Sequence, residues 1–75
     1  MTLSILPSED IALELALRVK SCRLVHRLTQ EGRANRSGVS FGTLKKFERT
    51  GQIALVSFIR LVVALGDEAA LENLL

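Results

Sequence analysis

The sequence predicts an all-α fold of five helices in one small domain. Apolar residues recur at steps of three and four, four of the five predicted helices begin at a Ser, Thr or Asp that can cap a helix, and glycines follow three of the five. The chain has 75 residues, 48% of them hydrophobic, and a mean hydropathy of +0.30. We therefore expect residues 1–75 to form a single domain, and because a chain of this size buries only about 60% of its unfolded surface, we also expect an oligomer.

The first predicted helix runs from the Pro7-Ser8 pair toward Leu28. Ser8 is its expected cap, and Glu9 and Asp10 suit the positive end of the helix dipole. The apolar stripe expected to face the core consists of Ile11, Leu15, Val19 and Cys22.

Two short helices follow. Thr29 is the expected cap of the first, which ends near Ser37-Gly38. Ser40 is the expected cap of the second, which spans Phe41 to Arg49 and ends before Thr50-Gly51.

The last two predicted helices, residues 55–65 and 68–74, supply core and dimer contacts, and Gly66 and Asp67 separate them. The stripe expected to face the core is Leu55, Phe58, Val62 and Leu65. Off that stripe, a surplus apolar surface predicts the face of a two-fold homodimer or of another partner: Val56, Ile59, Val63, Leu71, Leu74 and Leu75. The alternative is a core helix covered on every side.

The charges are divided unevenly along the chain. Residues 18–49 hold nine basic and two acidic side chains, a net +7, whereas the remainder carries −5. Because salt screens charges beyond about 10 Å, the basic segment can attract a polyanion despite the mild total of +2. The simpler alternative is a basic face that only contacts water.

The segment TQEGRANRSGVSFGTLKKFER, residues 29–49, has the spacing of a helix-turn-helix motif. Ala34 is small enough for two helices to cross closely, and Gly38 accepts the left-handed backbone of the turn. Val39 and Leu44 are expected to fill the corner. The second helix of such a motif is narrow enough to enter the major groove of DNA.

The chain from about Leu15 to Leu74 resembles the lambda-repressor-like (XRE-type) helix-turn-helix family. The resemblance rests on Arg23, Leu28-Thr29-Gln30-Glu31, Ala34, Gly38-Val39-Ser40, Thr43-Leu44, Phe47-Glu48-Arg49 and Leu65-Gly66. Within the family, Gly51-Gln52-Ile53 and the tail from Leu65 look most like HipB-type antitoxins. The resemblance implies a five-helix lambda-repressor-like domain that binds a palindromic operator in double-stranded DNA as a homodimer, with a HipA-like kinase toxin as a further partner.

The resemblance also implies roles for individual residues. The positions that read bases correspond to Ser40, Phe41, Gly42, Lys45 and Lys46, and of these we expect Lys45 to reach a phosphate. Those expected at DNA phosphates are Thr29, Gln30, Arg36, Thr43 and Arg49. Arg23 and Glu48 match the two members of an ion pair that holds the reading helix in place.

Arg33 departs from the family pattern, which has Leu or another buried apolar residue there. Either its guanidinium snorkels to solvent while its stem covers the core, or Arg33 replaces the natural residue. Gly32 lies in the same helix and costs about 1 kcal/mol relative to Ala, so we expect this helix to be weak. Thr50 also precedes Gly51, where the family has glycine directly after the Glu-Arg pair.

No pattern of residues favours an enzyme, a metal site or a cofactor. Residues 38–42 fit G-x-S-x-G, but a nucleophile elbow needs a preceding strand, an acid and a histidine, and His26 is the single histidine. His26 and Cys22 are better interpreted as a surface residue and a small core residue. Charges interrupt every apolar stretch and the first residues lack a secretory pattern, so we expect no membrane span and a cytoplasmic, nucleoid-associated protein.

The expected function is a sequence-specific transcriptional repressor, a HipB-like antitoxin that occludes its own toxin-antitoxin operon as a dimer. One alternative is a protein-interaction module that binds a toxin or phage factor without binding DNA. Another is a phage-type or restriction-modification controller repressor, which would share the DNA-binding chemistry.

Overall fold

Five α-helices and no strand make up the part of the chain that the structure, a computed structural model, describes, residues 6–74. The helices are α1 (Ser8–Val25), α2 (Gln30–Ser37), α3 (Phe41–Thr50), α4 (Leu55–Ala64) and α5 (Glu68–Glu72). The predicted all-α class with five helices is confirmed. Within this range, no helix is long and apolar enough to cross a bilayer. Leu75, predicted in the partner face, lies outside the described residues.

The predicted starts of the two middle helices and the predicted end of the first of them are confirmed. The Thr29 hydroxyl accepts a hydrogen bond from the Gly32 N–H at 3.0 Å, and the Ser40 hydroxyl accepts one from the Thr43 N–H at 3.1 Å. Gly38 follows α2 with a φ of 76°, in the left-handed region that favours glycine.

The backbone conformation and the packing at position 51 both require glycine. Its φ is 78°, and a Cβ at this position would lie 2.9 Å from the backbone of Ala12 and Leu13. The end of α3 therefore approaches α1 at a distance that no larger residue permits.

Five other predicted helix ends are wrong. Pro7 occupies the N-cap of α1 and its carbonyl accepts from the N–H groups of Asp10 and Ile11, so Ser8 is the first helical residue and caps nothing. Asp67 precedes α5 without a side-chain cap. Helix α3 includes Thr50 rather than ending before it, and α4 and α5 end at Ala64 and Glu72 rather than at residues 65 and 74.

The core forms where α1, α2, α3 and α4 meet. Its buried residues are Ala16, Val19, Ala34, Val39, Leu44, Phe47 and Leu61. The predicted corner residues, Val39 and Leu44, are among them. The Phe47 ring packs edge-on against Phe58 of α4, with ring centroids 5.8 Å apart, so α3 and α4 share an aromatic contact.

The predicted inner stripe of α1 is partly wrong. Cys22 is exposed, and the buried positions of this helix are Ala16, Val19 and Arg23. The apolar residues of α1 occur on all sides of the helix, so hydropathy alone does not identify the side that faces the core. The ion pair of Arg23 identifies it. Leu13, Leu17 and Leu24 are consequently exposed on its flank.

The predicted inner stripe of α4 is also partly wrong, because Leu55 is 71% exposed and Leu61, not predicted, is fully buried. Leu55 is the first residue of α4 and lies at the rim of an apolar groove of about 280 Å³ that Ala12 and Leu15 of α1 also line. The predicted Val62 is buried, and the predicted Phe58 is partly buried against the core, to which Leu61 is the addition.

Arg33 does not snorkel. It is 1% exposed, and neither its Nε nor its Nη2 has a hydrogen-bond partner among residues 6–74. Arg33 lies in the same turn of α2 as the buried Ala34, on the side that packs against the domain, so its guanidinium ends inside the protein. Burial lowers the pKa of Arg33, and the neighbouring charge of Arg36 lowers it further.

We expect the substitution Arg33→Met to stabilise the protein by about 2 kcal/mol, because it keeps an unbranched stem and removes an unpaired buried charge. Urea denaturation followed by circular dichroism measures the change. The matched control is Arg49→Met, which removes an exposed arginine of α3 and should leave the midpoint nearly unchanged. A lower midpoint for Arg33→Met would contradict the interpretation of this site.

Candidate nucleic-acid interface

A three-residue turn, Gly38-Val39-Ser40, joins α2 to α3. The Ser37 hydroxyl donates to the Ala34 carbonyl oxygen and accepts from the Val39 N–H, both at 3.2 Å. Because Val39 is also buried, the turn is fixed from both sides and sets the direction in which α3 leaves α2.

The outer surface of α3 is polar, basic and open. Gly42, Lys46 and Arg49 follow one another at steps of four and three, so they share one face, and all three are exposed. Lys45 flanks this face, and Phe41 begins the helix with 46% of its surface exposed. The inner face holds Leu44 and Phe47 in the core.

The structure thus brings the five predicted base-reading residues to the surface at the start of α3, but Ser40 is already engaged. Its hydroxyl caps the Thr43 N–H and donates to Thr43 Oγ1 at 2.8 Å. The side chains free to contact a ligand are those of Phe41, Lys45 and Lys46. Gly42 adds a place where a ligand can approach the backbone.

The residues predicted at phosphates lie on both helices of the motif. Arg36 and Arg49 are exposed, as is Thr29, whose hydroxyl is used in the cap of α2. Gln30 is half-buried, and its Nε2 donates to Glu48 Oε1 at 3.3 Å. Its amide therefore links α2 to α3, and its second N–H can still donate to an anion.

Arg23 and Glu48 form a bidentate ion pair between α1 and α3. Arg23 Nε and Nη2 each lie 2.9 Å from a different carboxylate oxygen of Glu48, and Arg23 Nη1 donates to the Leu28 carbonyl oxygen at 2.9 Å. Both side chains are nearly buried, at 9% and 4% exposed. Together with Gln30, the pair ties the end of α1, the start of α2 and the inner side of α3 to one carboxylate.

A shallow cleft of about 360 Å³ lies beside the basic face of α3. Thr43, Lys46, Gln52 and Ser57 give it polar groups. The sequence analysis did not single out Gln52 and Ser57 as site residues. Gln52 follows the glycine that ends α3, and Ser57 lies in the first turn of α4, so both lie next to Lys46.

The predicted partner face lies largely on the surface of this chain. Val56, Ile59 and Val63 share one face of α4 by their spacing, and all are exposed. Leu74 is 68% exposed, whereas Leu71 is half-buried.

The G-x-S-x-G run has the wrong surroundings for a nucleophile, since it connects two helices and the Ser40 hydroxyl bonds to Thr43 rather than to a base. Among residues 6–74, no cluster of His, Cys, Asp and Glu side chains could hold a metal ion.

A scan of the chain against protein-family models finds no match, and neither does a search of curated proteins. The resemblance to lambda-repressor-like proteins therefore stays a prediction that rests on the residues quoted above.

We expect Glu48→Gln to destabilise the protein by about 3 kcal/mol, because Arg23 would remain buried opposite a neutral partner. Urea denaturation measures the loss. Glu14→Gln is the matched control, since it breaks the Arg18–Glu14 pair, in which the Arg18 side chain is 52% exposed and the separation is 3.4 Å. That substitution should cost less than about 0.5 kcal/mol. Equal losses from both would show that the buried pair does not hold the helices together.

Proposed function

We propose that this chain is a sequence-specific, DNA-binding transcriptional repressor of the lambda-repressor-like helix-turn-helix class. The observation that carries the proposal is the arrangement of α3. Its inner side is fixed to α1 and α2 through Glu48, and its outer side presents Lys45 and Lys46 to solvent behind a capped first turn. A rigid, basic, unobstructed helix start is what major-groove recognition requires.

The burial pattern supports a polyanionic ligand. Of the nine basic residues between positions 18 and 49, only Arg23 and Arg33 are buried, and the other seven remain on the surface. The two acidic residues of that segment offset little, because Glu48 is already paired with Arg23. The surface excess of positive charge supplies the counterion release that drives binding to DNA.

Gly42 also supports the proposal. A Cβ there would meet nothing within 4 Å, and its φ lies outside the left-handed region, so neither packing nor backbone geometry of this chain requires glycine. Glycine inside a helix costs stability relative to alanine. Its place on the outer face of α3 fits a position where another molecule comes close to the backbone.

In the proposed complex, one set of residues binds phosphates and another reads the bases. Gln30, Arg36, Thr43 and Arg49, together with Thr29, bind phosphates and fix the position of the protein on the duplex. Lys46 donates to guanine O6 and N7, and Phe41 contacts a thymine methyl group, so these residues choose the sequence. Lys45, at the flank, binds a phosphate. Repression follows from occlusion of the operator.

The exposed apolar face of α4, with Val56, Ile59 and Val63, supports a two-fold homodimer. Such a dimer would set two α3 helices about 34 Å apart, one turn of DNA, and would bind a palindromic operator. The resemblance of Gly51-Gln52-Ile53 and the tail to HipB-type antitoxins extends the proposal to an antitoxin that represses its own operon in the cytoplasm and binds a HipA-like kinase toxin.

Titration of the full chain with duplexes tests the proposal. We expect a selected palindrome to bind more tightly than random duplex, and both affinities to fall steeply as salt rises from 50 to about 200 mM, because bound phosphates release counterions. Absence of any complex at low salt would sink the DNA-binding proposal and favour a protein-interaction module.

The same titration separates the roles of two residues. Lys46→Ala should reduce the preference for the selected duplex, costing about 1–3 kcal/mol on that duplex and little on random DNA. Gln30→Ala should weaken binding to both alike, because its contact is to phosphate. An equal loss of preference from both substitutions would contradict these roles.

We expect Val56→Glu to convert the homodimer to monomer, because it places a charge in the apolar contact without disturbing the core; sedimentation equilibrium measures the result. The matched control is Leu17→Glu, a comparably exposed apolar position on α1, at 54% against 59% for Val56. The control should leave the dimer intact. A chain that is monomeric before any substitution would refute the dimer.

A further inference from the structure

An open apolar groove lies between α1, the end of α3 and the start of α4. Its volume is about 280 Å³, and Ala12, Leu15, Phe47 and Phe58 are among the apolar residues that line it. The groove stays open because α4 packs chiefly against α2 and α5 rather than against α1. A cavity of about 150 Å³ already admits benzene, so this groove has room for a leucine side chain.

The side chain of Leu55 protrudes beside this groove. Leu55 is the first residue of α4, lies at the rim of the groove and is 71% exposed. Ile59 follows four residues later on the same side of α4, so Leu55 connects the groove to the exposed α4 face of Val56, Ile59 and Val63. The groove, Leu55 and the α4 face therefore form one continuous apolar surface, which is typical of an interaction site.

The α4 face alone is too small for the homodimer of the proposed function. A stable interface covers about 800 Å² of each partner, or about 20–30 residues, and that area is about a seventh of the 5277 Å² that this chain exposes. Val56, Ile59 and Val63 contribute three side chains that are 59%, 37% and 49% exposed. The interface must therefore include neighbouring surface, and the apolar surface that adjoins Ile59 is Leu55 with the groove.

We propose that the groove receives Leu55 of a second copy of this chain, so that the two copies exchange this side chain across a two-fold axis. The inference rests on the homodimer of the proposed function. A side chain that protrudes beside a groove is self-complementary, because a two-fold axis passing between them brings each side chain to the groove of the other copy. The exchange fills both grooves and removes two leucines from water.

Sedimentation equilibrium of the full chain measures the contribution of Leu55. We expect Leu55→Ala to raise the dissociation constant of the dimer about 100-fold, because each dimer loses two buried leucines. The monomer should remain folded, since Leu55 is largely exposed and alanine favours helix. The matched control is Leu17→Ala, which truncates a leucine of α1 that is 54% exposed and does not line the groove. The control should leave the dissociation constant unchanged, and a change below about threefold for Leu55→Ala would overturn the inference.

A mixture of two variants tests the exchange itself. Ala12→Leu fills the groove from within the same chain, so its homodimer should also be weak. In an equimolar mixture with Leu55→Ala, one Leu55 enters an unmodified groove and the filled groove faces alanine. We expect the heterodimer to be tighter than either homodimer, and native mass spectrometry separates the three species. A heterodimer of intermediate affinity would show that no exchange occurs. If Ala12→Leu does not fold, the comparison of Leu55→Ala with Leu17→Ala decides.

The failure of this inference and the failure of the proposed function give different results. A dimer that Val56→Glu disrupts and that neither groove variant weakens would overturn the exchange and leave the homodimer intact. Another occupant of the groove, such as a small apolar ligand, would give that result. A chain that exchanges Leu55 but binds no duplex at low salt would refute DNA binding and leave the exchange intact. A chain that is monomeric throughout would refute the homodimer and the exchange together, while the duplex titration still decides DNA binding.

Discussion

The buried pair of Arg23 and Glu48 is the interaction on which the rest of this domain depends. One guanidinium contacts both oxygens of one carboxylate and the carbonyl of Leu28, so three of its N–H groups are satisfied at 2.9 Å. A buried charge pair adds little net stability compared with apolar residues of the same size, but its geometry is strict. Its effect is therefore to select one arrangement of α1, α2 and α3 among those that would bury a similar apolar area.

The orientation of α3 follows from that selection. With Glu48 held against α1, helical periodicity sends Leu44 and Phe47 into the core and turns Gly42, Lys46 and Arg49 outward. The surface proposed to contact DNA is thus the side of α3 opposite the buried Arg23–Glu48 pair, whose two residues are 25 positions apart in the sequence. Fixed geometry of this kind limits the conformational entropy that a ligand must overcome on binding.

Local features of the sequence predicted most of the motif, whereas features that depend on distant partners were missed. The caps at Thr29 and Ser40 and the left-handed Gly38 need only neighbouring residues, and all are confirmed. The inner face of α1 was misassigned because its apolar residues surround the helix, so the choice between Cys22 and Arg23 depends on a carboxylate in another helix. Of the candidate site, exposure could be predicted, but the engagement of Ser40 by Thr43 and of Gln30 by Glu48 could not, because each needs side-chain geometry.

Arg33 and Gly42 both lower the stability of the domain, and no contact among the described residues compensates for either. Arg33 buries two guanidinium nitrogens, Nε and Nη2, that no residue in the described range 6–74 satisfies, and Gly42 leaves open space where alanine would strengthen the helix. Both lie within the helix-turn-helix segment, and the contacts of α1 with α3 and of α3 with α4 contain no comparable exception. Stability alone does not account for these two residues, and the place of Gly42 on the outer face of α3 agrees with the proposed contact with DNA.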